Sequence, residues 1–127
     1  MSRPAAKELT ERELEVMHVF WDVDEMTATD ARERLAASGI DRAYVTIANL
    51  VRILVEKGFL RATNDERPFT YAPIRSRDEV SRNFVGDMIQ RLFGGSREKM
   101  LLHLLGGNKR LTAAERKLLQ QILEEQK

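Results

Sequence analysis

Thr46, Asn49 and Arg52 stand three residues apart in the stretch AYVTIANLVRILVEKGFLRA, residues 43–62. At about 100° per residue a helix turns Val45, Asn49, Arg52 and Glu56 to one side, flanked by Thr46, Ala48 and Ile53. A carboxamide sets a donor beside an acceptor, which is the pattern that pairs bidentately with an adenine edge. Thr46 can exchange one hydrogen bond, and its methyl fits against a thymine methyl. Tyr44 at the helix start and Arg52 on the same side can reach phosphate oxygens. Arg61 and Arg67 follow in a hairpin and can approach a sugar–phosphate backbone beside the groove. Each residue also has a plainer reading: solvated surface for Asn49, Arg52 and Arg67, a hydrophobic staple for Tyr44. Val45 and Ile53 resist it, because they are apolar on the side turned from the core and so imply contact with DNA or protein.

Catalytic chemistry has little to work with. The two histidines, His18 and His103, lie far apart in apolar helices, where packing is the ordinary role. No cysteine occurs, which removes disulfides, thiol catalysis and thiolate-bound metals and fits a reducing cytosol. Gly94-Gly95 and Gly106-Gly107 have the composition of phosphate loops but no following Lys-Ser/Thr, and both follow helices, so they read as helix ends. The carboxylates sit at helix starts, where they favour the dipole. The chain is therefore not expected to be an enzyme, and no cofactor or metal is expected.

The elements that must carry these residues are legible as capped helices. The 127 residues suffice for one domain, or a small domain plus an oligomerisation segment. Residues 1–8 read as a frayed lead-in. Thr10 with Glu13 makes a capping box for a first helix to about Asp22, with Leu14, Met17, His18 and Trp21 on one face and Val16 and Phe20 beside them. "DVDEM" reads as a polar break. Thr27 and Asp30 open a second helix whose Ala28, Ala31, Leu35 and Ala36 form a narrow face, and Gly39 ends it. Ile47, Leu50, Val51 and Leu54 form the buried stripe of the third helix, closed by Lys57-Gly58. Phe59 and Leu60 then lead a strand, "NDERP" is the tip, and "FTYA" returns before Pro73.

Ser76 with Glu79 opens a fourth helix to about Phe93, apolar over more than one ordinary core face needs. "SREKMLLHLLGG" reads as a short helix, apolar nearly all round and so expected to be buried. Thr112 with Glu115 caps the last helix, whose stripe is Leu111, Leu118, Leu119, Ile122 and Leu123. The fold expected is mainly α with a small β-hairpin wing. A winged helix-turn-helix domain over residues 1–75 precedes a three-helix dimerisation region over 76–127. The last three helices have broad apolar surfaces and too little chain to cover them, and a second copy is the commonest remedy. Net charge is +1, with 5 Lys/Arg against 9 Asp/Glu in residues 1–40 and 10 against 7 in residues 76–127, so whole-chain charge does not announce a polyanionic partner. No apolar run approaches the roughly 20 residues of a membrane span, so a cytoplasmic protein without direct membrane binding is expected.

Three segments, "LTERELEVM…FW", "TATDARERL" and "YVTIANLVRILVEKGFL", appear in this order and spacing, followed by "FTYAPIRSRDE", "LFGGS" and "LTAAERKLLQQIL". In this the chain resembles the penicillinase repressor family, which includes the methicillin-resistance repressor, over nearly its whole length. The resemblance implies a homodimeric transcriptional repressor that binds a palindromic double-stranded DNA operator through its winged helices. The DNA contacts would fall on Tyr44, Val45, Thr46, Ala48, Asn49, Arg52, Arg61 and Arg67. The dimer interface would fall on Val80, Phe84, Met88, Leu92, Phe93, Leu101, Leu104, Leu105, Leu119 and Ile122. In many members a membrane sensor-protease of the β-lactam receptor type relieves repression by proteolysis; the bond corresponding to the family's Asn–Phe cut is His103–Leu104. The family usually places a basic residue where Ala48 stands, a threonine where Asn49 stands, and an arginine or lysine where Ile53 stands. The third helix is thus poorer in positive charge than the family pattern. A branch that senses copper uses C-terminal cysteines, which this chain lacks. The competing class is a protein-interaction module on a winged-helix scaffold, which would bind no specific DNA.

Overall fold

The computed structural model describes residues 9–106 and 110–126. The lead-in at residues 1–8 and Gly107 lie outside the described residues. Helix α1 (Glu11–Val23) starts from a capping box in which the Thr10 hydroxyl accepts from the Glu13 N–H at 3.2 Å. In return, Glu13 Oε1 accepts from the Thr10 N–H at 2.9 Å. The segment read as a polar break, residues 22–26, breaks the chain at Asp24 and Glu25 but ends in a strand that was not expected, β1 (Met26–Thr27). Two residues are too few to show alternation, and Thr27 also serves as N-cap of helix α2 (Ala28–Ala37) with Asp30 as its reciprocal partner. Helix α3 (Tyr44–Lys57) ends at Gly58, whose φ of 86° lies in the left-handed region where a side chain would be strained. The chain therefore turns directly into β2 (Leu60–Ala62), which pairs antiparallel with β3 (Thr70–Pro73). Strand β3 also takes β1 in the register Met26↔Tyr71, so the expected two-stranded hairpin is a three-stranded sheet in the order β1-β3-β2.

The core gathers Val16, Met17 and Phe20 from α1, Ala31 and Leu35 from α2, and Ile47, Val51 and Leu54 from α3. Met26, Phe59 and Leu60 close it from the sheet side. Each Val, Leu, Ile, Met or Phe among them contributes roughly 1.5–3 kcal/mol when fully buried. The buried face of α1 is Glu13, Val16, Met17 and Phe20; it is rotated from the expected face, leaving His18 exposed and Leu14 and Trp21 partly covered. In α2, Ala36 is exposed, and in α3 Leu50 is only partly buried.

Helices α4 (Arg77–Phe93), α5 (Arg97–Leu105) and α6 (Ala113–Glu125) complete the chain. It forms two compact units, one ending at Phe84 and one from Val85 on, so the division falls inside α4. Val80 is buried in the core of the first unit and Phe84 packs against that core, which leaves Val80 little surface for a partner chain. Within the second unit, Gly94 and Gly95 both take positive φ where α4 stops. Phe93 meets the His103 ring edge-on at 5.4 Å. Helix α5, expected to be buried, has no buried residue, and Leu102 is 72% exposed. The second unit has too few elements of its own to enclose a helix that is apolar nearly all round.

Glu13 is the one buried charged residue among those described, 4% exposed, and its Oε1 lies 2.8 Å from Lys57 Nζ. Glu13→Ala removes the reciprocal half of the capping box and the buried ion pair with Lys57, so urea unfolding should show a loss of about 2–3 kcal/mol. A loss indistinguishable from that of an exposed glutamate would refute this role.

Candidate nucleic-acid interface

The turn between α2 and α3 has the sequence SGIDRA, and its arginine does the fastening. Arg42 grips Glu15 of α1 with two hydrogen bonds, Nε to Oε1 at 3.1 Å and Nη2 to Oε2 at 3.2 Å. Arg32 of α2 donates from Nε to the Arg42 carbonyl at 3.0 Å. One residue just before α3 is thus tied to both preceding helices. Sequence reading missed this clamp, since nothing in local periodicity links residues 27 positions apart.

Burial of Ile47, Val51 and Leu54 fixes the rotation of α3 about its axis. Val45, Asn49, Arg52 and Glu56 then face outward and are exposed, Val45 by 68%. Tyr44 is also exposed, while Thr46, Ala48 and Ile53 flank the stripe half-buried. The Asn49 side chain makes no hydrogen bond to the described residues, so its amide edge is free. Arg52 is not free: its Nη1 donates to Glu56 Oε2 at 2.9 Å across one turn. At the start of α3, Ala43 gives no side-chain cap, whereas Thr10, Thr27, Ser96 and Thr112 cap other helices. Its first-turn N–H groups therefore lack a side-chain acceptor.

The wing beside α3 is ordered by its own side chains. Asn64 Nδ2 donates to the Pro68 carbonyl at 3.1 Å, and Asn64 Oδ1 accepts from the Thr70 N–H at 3.0 Å. The Thr63 and Thr70 hydroxyls bond across the strands. Arg67 lies over the Phe69 ring at 5.7 Å. Arg61 sits on β2 opposite Ala72 and is exposed. The exit of the wing is held from behind, where Trp21 Nε1 donates to the Arg75 carbonyl at 2.8 Å. Arg77 covers the Trp21 ring and bridges to Asp22 at 3.0 Å. Trp21 was legible as a core-face residue, but its bond to the wing exit, 54 positions away, was not.

The structure therefore brings Tyr44, Val45, Thr46, Ala48, Asn49 and Arg52 together on one helix and adds Arg61 and Arg67 from the wing. Of the two α3 cations, Arg52 is paired with Glu56 and Lys57 with Glu13, so unpaired positive charge comes from the wing. Among the described residues no group of acidic or imidazole side chains could hold a metal ion. No helix among them is long and apolar enough to cross a membrane.

The family model described as penicillinase repressor matches residues 9–125. Transcriptional regulator BlaI of Mycobacterium tuberculosis (strain ATCC 25618 / H37Rv) is 31% identical over 99 residues, spanning 76% of this chain and 71% of that protein. An uncharacterised 16.5 kDa protein in the ptsI 3′ region of Latilactobacillus sakei is 29% identical over 98 residues, 77% of this chain and 66% of that one. The solution structure of the DNA binding domain of the repressor BlaI aligns with a TM-score of 0.51 at 24% identity, covering 62% of this chain and 93% of that domain. That likeness establishes the winged-helix fold.

A double-mutant cycle on Glu15→Gln and Arg42→Gln should give a coupling of about 1 kcal/mol in unfolding free energy, since the pair is bidentate and only partly exposed. Additive losses would show that the clamp contributes nothing.

Proposed function

The chain belongs to the penicillinase repressor family of winged-helix DNA-binding regulators, and we propose that it is a dimeric, sequence-specific transcriptional repressor occupying a palindromic operator in the cytoplasm. The observation that supports this best is the outward stripe of α3, where a free carboxamide stands between exposed apolar and cationic residues beside an ordered wing. Asn49 reads a base edge, Thr46 and Val45 meet neighbouring bases, and Ala48 leaves room for the backbones to approach. Tyr44, Arg61 and Arg67 take phosphates, joined by the uncapped N–H groups of the first turn of α3. The exposed leucines of α5, with Met88, Leu92 and Ile122, are covered by a second copy, with the half-buried Phe93 and Leu119 beside them. So many exposed large apolar side chains within one small unit mark a surface suited to a partner. A dimer also matches a palindrome by symmetry. In the same reading an upstream sensor relieves repression, and the His103–Leu104 bond lies in the last turn of α5 with both side chains exposed.

The deciding assay is a salt-titrated binding measurement on duplex from the protein's own promoter against scrambled duplex. A preference of roughly a thousandfold or more, falling steeply with salt, is expected. Equal weak binding to both would favour the protein-interaction reading, for which the exposed Val45 and the paired Arg52 would be the contact surface. Asn49→Ala should cost about 1–3 kcal/mol on the promoter and relax preference at one position per half-site; a uniform loss on all sequences would remove Asn49 from base reading. Leu101→Asp should shift the mass seen by light scattering from dimer to monomer while the first unit stays folded. An unchanged dimer would take α5 out of the interface.

A further inference from the structure

Arg52 is the only cation on the outward stripe of α3, and its partner Glu56 lies on the same stripe. The two side chains are 61% and 64% exposed, and they meet one turn beyond Asn49. Their pairing leaves the stripe without net charge. On a surface offered to a polyanion a carboxylate costs affinity, so Glu56 works against simple phosphate attraction. What a carboxylate supplies there is direction. It engages Arg52 through Nη1 and leaves the edge formed by Nε and Nη2 without a partner among the described residues. That edge is a two-donor fork, and guanine offers O6 and N7 as the matching acceptors. A phosphate can take the same fork, but phosphates recur at every step of the backbone whatever the sequence, so aiming the guanidinium matters chiefly where one base must be read.

We propose that Glu56 is a positioning residue that aims Arg52 at a guanine in each half-site and, through its charge, suppresses binding to other DNA. The assignment rests on α3 being the recognition helix. It gives Arg52 a base to read, where the sequence alone offered a phosphate. It also accounts for an α3 whose outward side is neutral: specificity is a difference of affinities, and lowering the sequence-independent part raises that difference.

The test starts by enriching a random duplex pool on the wild-type full-length chain. The enriched duplex and a scrambled one are then titrated by fluorescence anisotropy at several salt concentrations. Glu56→Gln should bind the scrambled duplex roughly two- to fivefold tighter, the equivalent of an exposed ion pair, with a steeper salt dependence. The same variant should bind the enriched duplex more weakly. Arg52→Lys keeps the charge but loses the fork, so it should hold its affinity for scrambled DNA. Enrichment on that variant should yield a motif that has lost one guanine per half-site. The inference is overturned if Glu56→Gln moves both duplexes by the same factor in the same direction, or moves neither. It is overturned equally if Arg52→Lys enriches an unchanged motif. Failure of the recognition-helix reading looks different, because the wild type itself then enriches no motif and the assignment falls with it.

Discussion

One carboxylate oxygen joins the start of α1 to the end of α3. Glu13 Oε1 accepts from the Thr10 N–H at the start of α1 and from Lys57 Nζ at the end of α3. Buried away from water, the carboxylate is stable there only while both donors stay in place. The contact fixes where α3 stops along α1, a coordinate that hydrophobic packing alone sets loosely. Gly58 follows at once and turns the chain into β2, so the position of the wing is measured from the same point. At the other end of α3 the Arg42 clamp on Glu15 and Arg32 sets where the helix begins. Between these two fastenings the buried stripe sets only the rotation. The outward residues are therefore fixed along the axis and around it before any partner arrives.

Much of this was legible because capping and periodicity are local. Thr10 with Glu13, Thr27 with Asp30 and Thr112 with Glu115 marked helix starts to the residue. Ile47, Val51 and Leu54 marked the inward side of α3, and with it the stripe of the candidate interface. What escaped was non-local. Strand β1 is two residues long and exists only because β3 is there to pair with it. The face of α1 was misjudged because Glu13 counted as polar, while its burial depends on a lysine 44 residues away. The Arg42 clamp and the Trp21–Arg75 bond have no short-range signature. Burial of α5 was inferred from its composition, yet burial needs neighbours, and the second unit alone does not supply them.

The two units divide two physical tasks. The first encloses a core and leaves a shaped surface of mixed polar and apolar residues. The second leaves apolar surface uncovered, with helices that are well capped and hence locally complete. Capping stabilises each helix without telling it what to pack against, so association can depend on partner concentration while the helices themselves do not. If that surface pairs two copies on a two-fold operator, as proposed, affinity would rise with occupancy of the dimer and follow the amount of protein present.

The chain contains one tryptophan, and it is Trp21. Its indole N–H is spent on the Arg75 carbonyl and its ring is overlain by Arg77, both residues of the first unit. Its emission is consequently a label-free optical signal confined to that unit. The second unit, with no tryptophan, is silent at the same wavelengths. Unfolding followed by fluorescence would trace the winged helix alone, while circular dichroism would sum over both, and the difference between the two curves isolates the helical remainder.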